Sequence, residues 1–333
     1  MEIIKASRAT DLPASWDSLA VDYFQTTEFL DHAEKYNPCS QRYYALYDQG
    51  TLITGLIMYT LRLDLFTYLS LPSPFRMHII GIPCSVSSNG VVGSEAHLTT
   101  LLEYLKGEQK GFILVLNLGS ATDLDGFVCG KTLPTVVLEK SFESWDDYLN
   151  TLRADYRRRI KRLARPFTRV NMKHGGCSGF DKLMYDQYLA VLKRSKGKLE
   201  TLSLDFFQNL PSSFYLTTLF DQEKVIGWFI STVFREKHYF FMGGIDYSLN
   251  RQCNTYFNVL IEVLREGFKR RASRIDLGQT AEVPKIRMGG QIVEKYMLGY
   301  HSNRIFRKLL VTGKGLLEYS AIFQQPRVFK EKA

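Results

Sequence analysis

HYFFMGGIDYSLNRQCNTYFNVLIEVLREGFKRRASRIDLGQTAEVPKIRMGG, residues 238–290, reads as a strand, a turn, an amphipathic helix, a second strand and a polar loop. Tyr239 to Met242 is a short aromatic run suited to a buried strand, and Gly243-Gly244 lets the backbone bulge or approach a ligand. Phe257, Leu260, Ile261, Leu264 and Phe268 then recur at three- and four-residue steps, which is one face of a helix. Lys269, Arg270 and Arg271 suit the negative end of its dipole. Arg274 to Gly278 is a second short strand, followed by Gln279, Thr280, Glu282 and Lys285. Ligands of open α/β sheets bind at such strand ends.

The same order occurs earlier in the chain. Arg42–Tyr47, the turn Asp48-Gln49-Gly50 and Leu52–Leu61 read as a hairpin, matched by Tyr215–Phe220, Asp221-Gln222 and Val225–Phe234. Further strands are expected at Leu65–Leu71, Met77–Ile82 and Gly111–Leu118, with a helix opened by Ser94 between the last two. Asp276-Leu277-Gly278-Gln279-Thr280-Ala281 echoes Asn117-Leu118-Gly119-Ser120-Ala121. The first copy has a longer strand-to-helix connection, where Pro83–Gly93 sits. Two copies make tandem domains and not a solenoid. The expected division is 1–140, 141–312 and a tail, 313–333, with few fold signals. Residues 1–25 read as an irregular lead-in, and Lys295–Tyr300 and Ile305–Val311 as short strands.

The second half opens with SWDDYLNTLRADYRRRIKRLAR, in which Trp145, Leu149, Leu152, Tyr156, Ile160 and Leu163 form one helical stripe, 145–165. Its other faces carry Arg153, Arg157, Arg158, Arg159, Lys161, Arg162 and Arg165, a density suited to phosphates, RNA or anionic lipid. Charge follows the halves: residues 1–140 hold 10 Lys and Arg against 15 Asp and Glu, and residues 141–333 hold 33 against 19. The second half is the one expected to face an anionic partner.

The chain shows no GxGxxG, GxxxxGK[ST] or HExxH motif. Its five cysteines are widely spaced without a CxxC pair, so neither a disulfide framework nor a metal site is expected. The absence of a signal peptide or an apolar span predicts a cytoplasmic protein, with peripheral contact to the inner membrane face as an option.

The glycine pair with its acid, GGID, the helix after it, the DLGQT strand end with Lys285 and Gly289, and the basic helix together resemble the Gcn5-related N-acetyltransferase (GNAT) fold. The resemblance is closer to the FemAB-like branch, which carries two such domains in tandem. It implies an α/β (α+β) chain of two GNAT-like domains, each a mixed twisted sheet flanked by helices. It also implies an N-acyltransferase in which an amine attacks an acyl thioester directly, with acyl-CoA as donor and no metal. In that fold, backbone amides near the end of the fourth strand hold the thioester, here Gly243, Gly244 and Ile245. The next helix N-terminus receives the pyrophosphate, here Arg251, Asn254 and Thr255. The family's acetyl-CoA signature is R/Q-x-x-G-x-G/A. This chain reads Arg251-Gln252-Cys253-Asn254-Thr255-Tyr256, with larger residues in both glycine places. That departure fits FemAB-like proteins that take the acyl group from aminoacyl-tRNA to extend a cell-wall peptide.

Asp246, which follows the glycine pair, is the expected proton acceptor, and a turn-capping part is the alternative. Lys285 matches the family lysine. Tyr247, Tyr256 and Tyr300 are candidate proton donors, Gln279 and Thr280 are placed to hydrogen-bond the acceptor, and Arg158 and Arg162 to hold phosphate. Long-chain acyl transfer to a lipid amine is a further variant. A non-enzymatic binder of an anionic polymer is the alternative from another class.

Overall fold

The repeat in the sequence becomes a repeat of strand pairing. The computed structural model describes residues 1–62, 76–84, 86–140, 142–195 and 200–331, so the strand expected at Leu65–Leu71 lies outside the described residues. Two units form: Met1–Leu133 with 200–206 and Glu294–Ala321, and Pro134–Ser195 with Phe207–Val293 and 322–331.

The first unit contains β1 (Glu2–Ala6), α1 (Ser15–Leu19), α2 (Thr27–Tyr36), β2 (Arg42–Asp48), β3 (Thr51–Arg62), β4 (Arg76–Ile80), β5 (Val91–Gly93), α3 (Leu98–Glu108) and β6 (Phe112–Leu118). Then come β7 (Val128–Leu138), α4 (Trp145–Thr151), α5 (Ala154–Ala164), β8 (Val170–Gly176), α6 (Lys182–Arg194), α7 (Leu204–Gln208), β9 (Phe214–Asp221), β10 (Lys224–Phe234), β11 (Lys237–Ile245), α8 (Asn250–Cys253), α9 (Thr255–Lys269), β12 (Arg274–Gln279) and α10 (Glu282–Ile286). The chain closes with β13 (Gln291–His301) and α11 (Arg304–Leu317).

In the first unit β1, β2, β3 and β4 pair antiparallel in that order, β4 pairs β6 in parallel across α3, and β6 pairs β13 antiparallel. In the second, β8, β9, β10 and β11 pair antiparallel, β11 pairs β12 in parallel across α9, and β12 pairs β7 antiparallel. A parallel pair needs a crossover, which is why a helix sits at that step in both copies.

The sixth strand is exchanged: the first unit takes β13, which follows the second unit's core in sequence, and the second takes the end of β7. Pro134 stands where β7 changes unit, and a residue without an N–H suits a break in a ladder. This exchange is why the division differs from the expected boundaries at 140 and 312.

Each copy seats an indole on a bare strand glycine. A Cβ on Gly55 would lie 2.3 Å from the Trp16 ring, and one on Gly244 would lie 2.5 Å from the Trp228 Nε1. Trp16 and Trp228 are fully buried, and their Nε1 groups donate to the carbonyls of Gln25 (2.9 Å) and Met184 (3.1 Å). α3 buries Leu98, Leu101, Leu102 and Leu105, and α9 buries Leu260, Ile261, Leu264 and Phe268 as its periodicity predicts. Each such side chain contributes about 2 kcal/mol of transfer free energy.

Four local expectations are corrected. Residues 1–25 contain β1 and α1, short elements whose core contact is Trp16. The basic stripe is two helices, not one. Leu152 is extended and bridges Phe329, while the amide of Arg153 donates to the Val328 carbonyl at 3.0 Å. The tail is therefore fastened to that break and is not without structure. Ile305–Val311 is helical and not a strand, because Asn303 caps the amide of Ile305 (2.8 Å) and Phe306 and Leu310 share an inward face. No helix among the described residues is long and apolar enough to cross a membrane.

Candidate functional site

In the second unit the parallel pairing of β11 with β12 covers only Lys237–Tyr239 and Arg274–Asp276. β11 continues to Ile245 paired with β10, so beyond Tyr239 its other edge has no strand partner among the described residues. β12 ends in a turn with left-handed backbone at Gly278 (φ +75°), Thr280 (φ +60°) and Ala281 (φ +48°). A β-branched residue is strained there, and such strain collects at functional sites. The exposed amides of Thr280 and Ala281 donate to no group among the described residues.

Two buried charged groups hold this turn. The Asp276 carboxylate accepts from the Thr135 hydroxyl at 2.9 Å and from the Gly278 amide at 2.7 Å. Lys285, 2% exposed, donates its Nζ protons to the carbonyls of Gly278 (3.0 Å) and Gln279 (2.8 Å). Burial pushes the Lys285 ammonium down to about 8, against the opposing pull of Asp276 and Glu282. Two of the three N–H donors of its ammonium are thus taken by the backbone.

Across the strand ends lies Tyr256, in the first turn of α9. Burial raises its hydroxyl well above the ordinary value, and Tyr247 and Glu282 add to the rise. Glu282 is itself buried, at the start of α10, and acts on Lys285 as well. Tyr247, Tyr256, Glu282 and Lys285 thus form a run of titratable groups from the end of β11 to the end of β12. Of these, only Glu282 was not assigned a role from sequence. Glu282 reads there as one more polar residue of a loop, and only the fold buries it.

Asp246 takes the turn-capping part. Its Oδ1 accepts from the Ser248 amide (2.8 Å) and hydroxyl (2.5 Å), and its Oδ2 pairs with Lys224 at 2.8 Å. Burial alone would raise its pKa, but the bonds from Lys224 and Ser248 outweigh that and hold the carboxyl below the usual range. A carboxylate so stabilised is a poor proton acceptor. Tyr247 stacks under the Arg194 guanidinium at 3.8 Å, and burial raises its hydroxyl against the effect of that cation.

The glycine pair serves packing. Gly244 lies under Trp228, and a Cβ on Gly243 would meet the Phe240 ring at 3.0 Å, while both glycines and Ile245 pair with β10.

The N-terminus of α9 is closed. Asn254 is left-handed and provides no side-chain cap, and the Tyr256 amide is taken by Asn250 Oδ1 at 3.0 Å. The carboxamides of Asn254 and Asn258 donate to the Leu163 carbonyl at the end of α5, at 3.4 and 3.1 Å. Thr255 is fully buried, and its hydroxyl has no partner among the described residues. Arg251 is exposed on α8. A pyrophosphate expected at Arg251, Asn254 and Thr255 would find the Tyr256 amide already taken and the Thr255 side chain buried.

α5 buries Ile160 and exposes Arg158, Lys161 and Arg162. The Arg158–Asp155 pair, 2.5 Å apart with both side chains largely in water, contributes little to stability. The Arg159 guanidinium is partly buried over the Phe257 ring; burial lowers its pKa, and Arg287 and Arg162 add to that.

No protein-family model matches the sequence, and no curated protein matches it. Among solved structures, that of FemX matches with a TM-score of 0.58 at 12% identity, covering 93% of this chain and 100% of its own. The fold is like that of FemX. A conserved protein of unknown function from Bacteroides thetaiotaomicron matches with a TM-score of 0.53 at 11% identity, covering 87% of this chain and 98% of its own. At these identities the likeness is one of backbone.

Proposed function

We propose that the chain transfers an acyl group from an activated ester to an amine at the strand ends of the second unit. The observation that carries this reading is the placing of the Thr280 and Ala281 amides, which donate to no group among the described residues, at the same strand ends as the half-buried Tyr256 and the buried Glu282 and Lys285. Acyl transfer needs donors aimed at a developing oxyanion, a base for the amine proton and an acid for the leaving group. The two amides supply the first, held by the Asp276 and Lys285 contacts. Glu282 takes the proton as the C–N bond forms. Tyr256, whose raised pKa keeps it protonated, gives a proton to the alkoxide as the C–O bond breaks, and regains one from Glu282. Gln279 and Thr280 line the acceptor side.

The closed N-terminus of α9 favours a donor whose phosphates lie elsewhere, and the exposed cations of α5, Arg158 and Arg162 among them, suit a polyanion. An aminoacyl-tRNA-type donor therefore fits this chain better than acyl-CoA. Titration with bulk aminoacyl-tRNA is expected to show binding that weakens steeply between about 50 and about 200 mM salt. The Arg158→Ala/Arg162→Ala variant should bind more weakly and with a shallower salt slope. Turnover with acetyl-CoA or a long-chain acyl-CoA, beside tRNA binding unchanged in that variant, would overturn the donor assignment.

A further inference from the structure

α11 carries a surface that acyl transfer does not use. Asn303 caps it, and Phe306 and Leu310 fasten it to a cluster that includes Tyr59, Met77 and Phe112; the Phe306 and Phe112 ring centroids are 6.1 Å apart. With that face fixed, Ile305 and Leu309, four positions apart, share one apolar flank exposed to solvent, and Val311 is exposed around the other side of the helix. Ile305 is 69% exposed, Leu309 58% and Val311 61%. Three of the eleven exposed large apolar side chains among the described residues thus fall within seven consecutive positions.

Arg304 and Lys308 are interleaved with them, with Lys314 one turn on. The helix RIFRKLLVTGKGLL holds four cations and no acid, and Arg304, Lys308 and Lys314 form no ion pair among the described residues. Apolar side chains that enter a headgroup layer, beside cations whose stems let the charge stay among the phosphates, are the composition of a helix lying in an anionic interface. A second copy fits this face poorly, because docking α11 on α11 would bring Arg304 and Lys308 against their equivalents.

We infer that the exposed flank of α11 formed by Ile305 and Leu309, beside Arg304 and Lys308, docks the first unit on an anionic bilayer surface. The inference is independent of the transfer chemistry. It is tested by flotation of the whole chain with vesicles of phosphatidylglycerol and, separately, of phosphatidylcholine. Binding is expected to the former and not the latter.

Ile305→Ser/Leu309→Ser is expected to lower partition about tenfold or more. Lys308→Glu should lower it severalfold at low salt, and both variants should melt as the parent does because the replaced side chains are exposed. Three results would overturn the inference: no partition to phosphatidylglycerol, equal partition of the α11 variants and the parent, or loss in Ile305→Ser/Leu309→Ser of a concentration-dependent dimer seen by sedimentation, which would assign the face to a second copy.

Discussion

The two units share six strands with the same pairing senses, yet the end of the parallel pair is filled in one and left unpaired in the other. In the first unit β4 and β6 pair from Met77–Phe112 to Ile80–Val115, and residues 81–84 and 86–93 then fold back over their ends. The Gly81 amide bonds the Ile57 carbonyl, the Ile57 amide bonds the Gly90 carbonyl, and β5 pairs with β3. Asn117 donates to the carbonyls of Val86 (2.9 Å) and Ser88 (3.2 Å), and Gln25 to that of Val91 (2.8 Å).

In the second unit the corresponding connection is a short turn at Asp246 and the four-residue α8. The residue matching Asn117 in the echoed segment is Asp276, which accepts where Asn117 donates. A carboxamide can fasten a passing loop by its carbonyls; a carboxylate instead holds its own strand end and favours the charged form of Lys285. One scaffold is thereby sealed in one copy and equipped in the other by a single amide-for-acid difference and the length of one connection.

The largest expected effect separates the two ends by function. Glu282→Gln should lower kcat by about a hundredfold or more with little change in Tm. Asn117→Ala, which removes the matching contacts of the first unit, should cost about 1–3 kcal/mol in urea denaturation and leave turnover per folded molecule unchanged. Equal loss of turnover in both would mean that the first copy also works.

The next effect concerns Lys285, whose folded pKa of about 8 lies below the unfolded value of 10.5. Between these values the unfolded chain binds more protons, so this group raises stability as pH climbs from about 8 to about 10.5, by up to about 3 kcal/mol. Below pH 8 the full penalty of a buried ammonium is present. The difference in unfolding free energy between the parent and Lys285→Met, followed from pH 7 to pH 10.5, should show that slope. A flat difference would mean that the ammonium is not buried as described.

The smallest effect sharpens the assignment of the base. Asp246→Asn should keep turnover within a fewfold and cost under about 1 kcal/mol, as expected of a partly exposed pair with Lys224. A hundredfold loss of turnover would return Asp246 to the chemistry and remove Glu282 from it.

Much of the scaffold was legible in the sequence because its signals are local. The helical period of α9, the hairpin turns at Asp48-Gln49-Gly50 and Asp221-Gln222, and the echo of Asn117-Leu118-Gly119 in Asp276-Leu277-Gly278 define both copies and their order. What the sequence could not supply was partnership between residues far apart in the chain. Gly243-Gly244 reads as room for a ligand, and only the β10–β11 register shows that Trp228 fills that room. Asp246 has an acid's chemistry in isolation, and its commitment depends on Lys224, which is brought in by the hairpin. The exchange of β7 and β13 is equally invisible, because either strand has the composition to complete either sheet. Local spacing and charge determined the duplicated α/β scaffold and its basic second half. The burial of Glu282 and Lys285, the closing of the α9 N-terminus and the exposed apolar flank of α11 were decided by tertiary packing, since burial and hydrogen-bond saturation depend on neighbours that sequence spacing does not name.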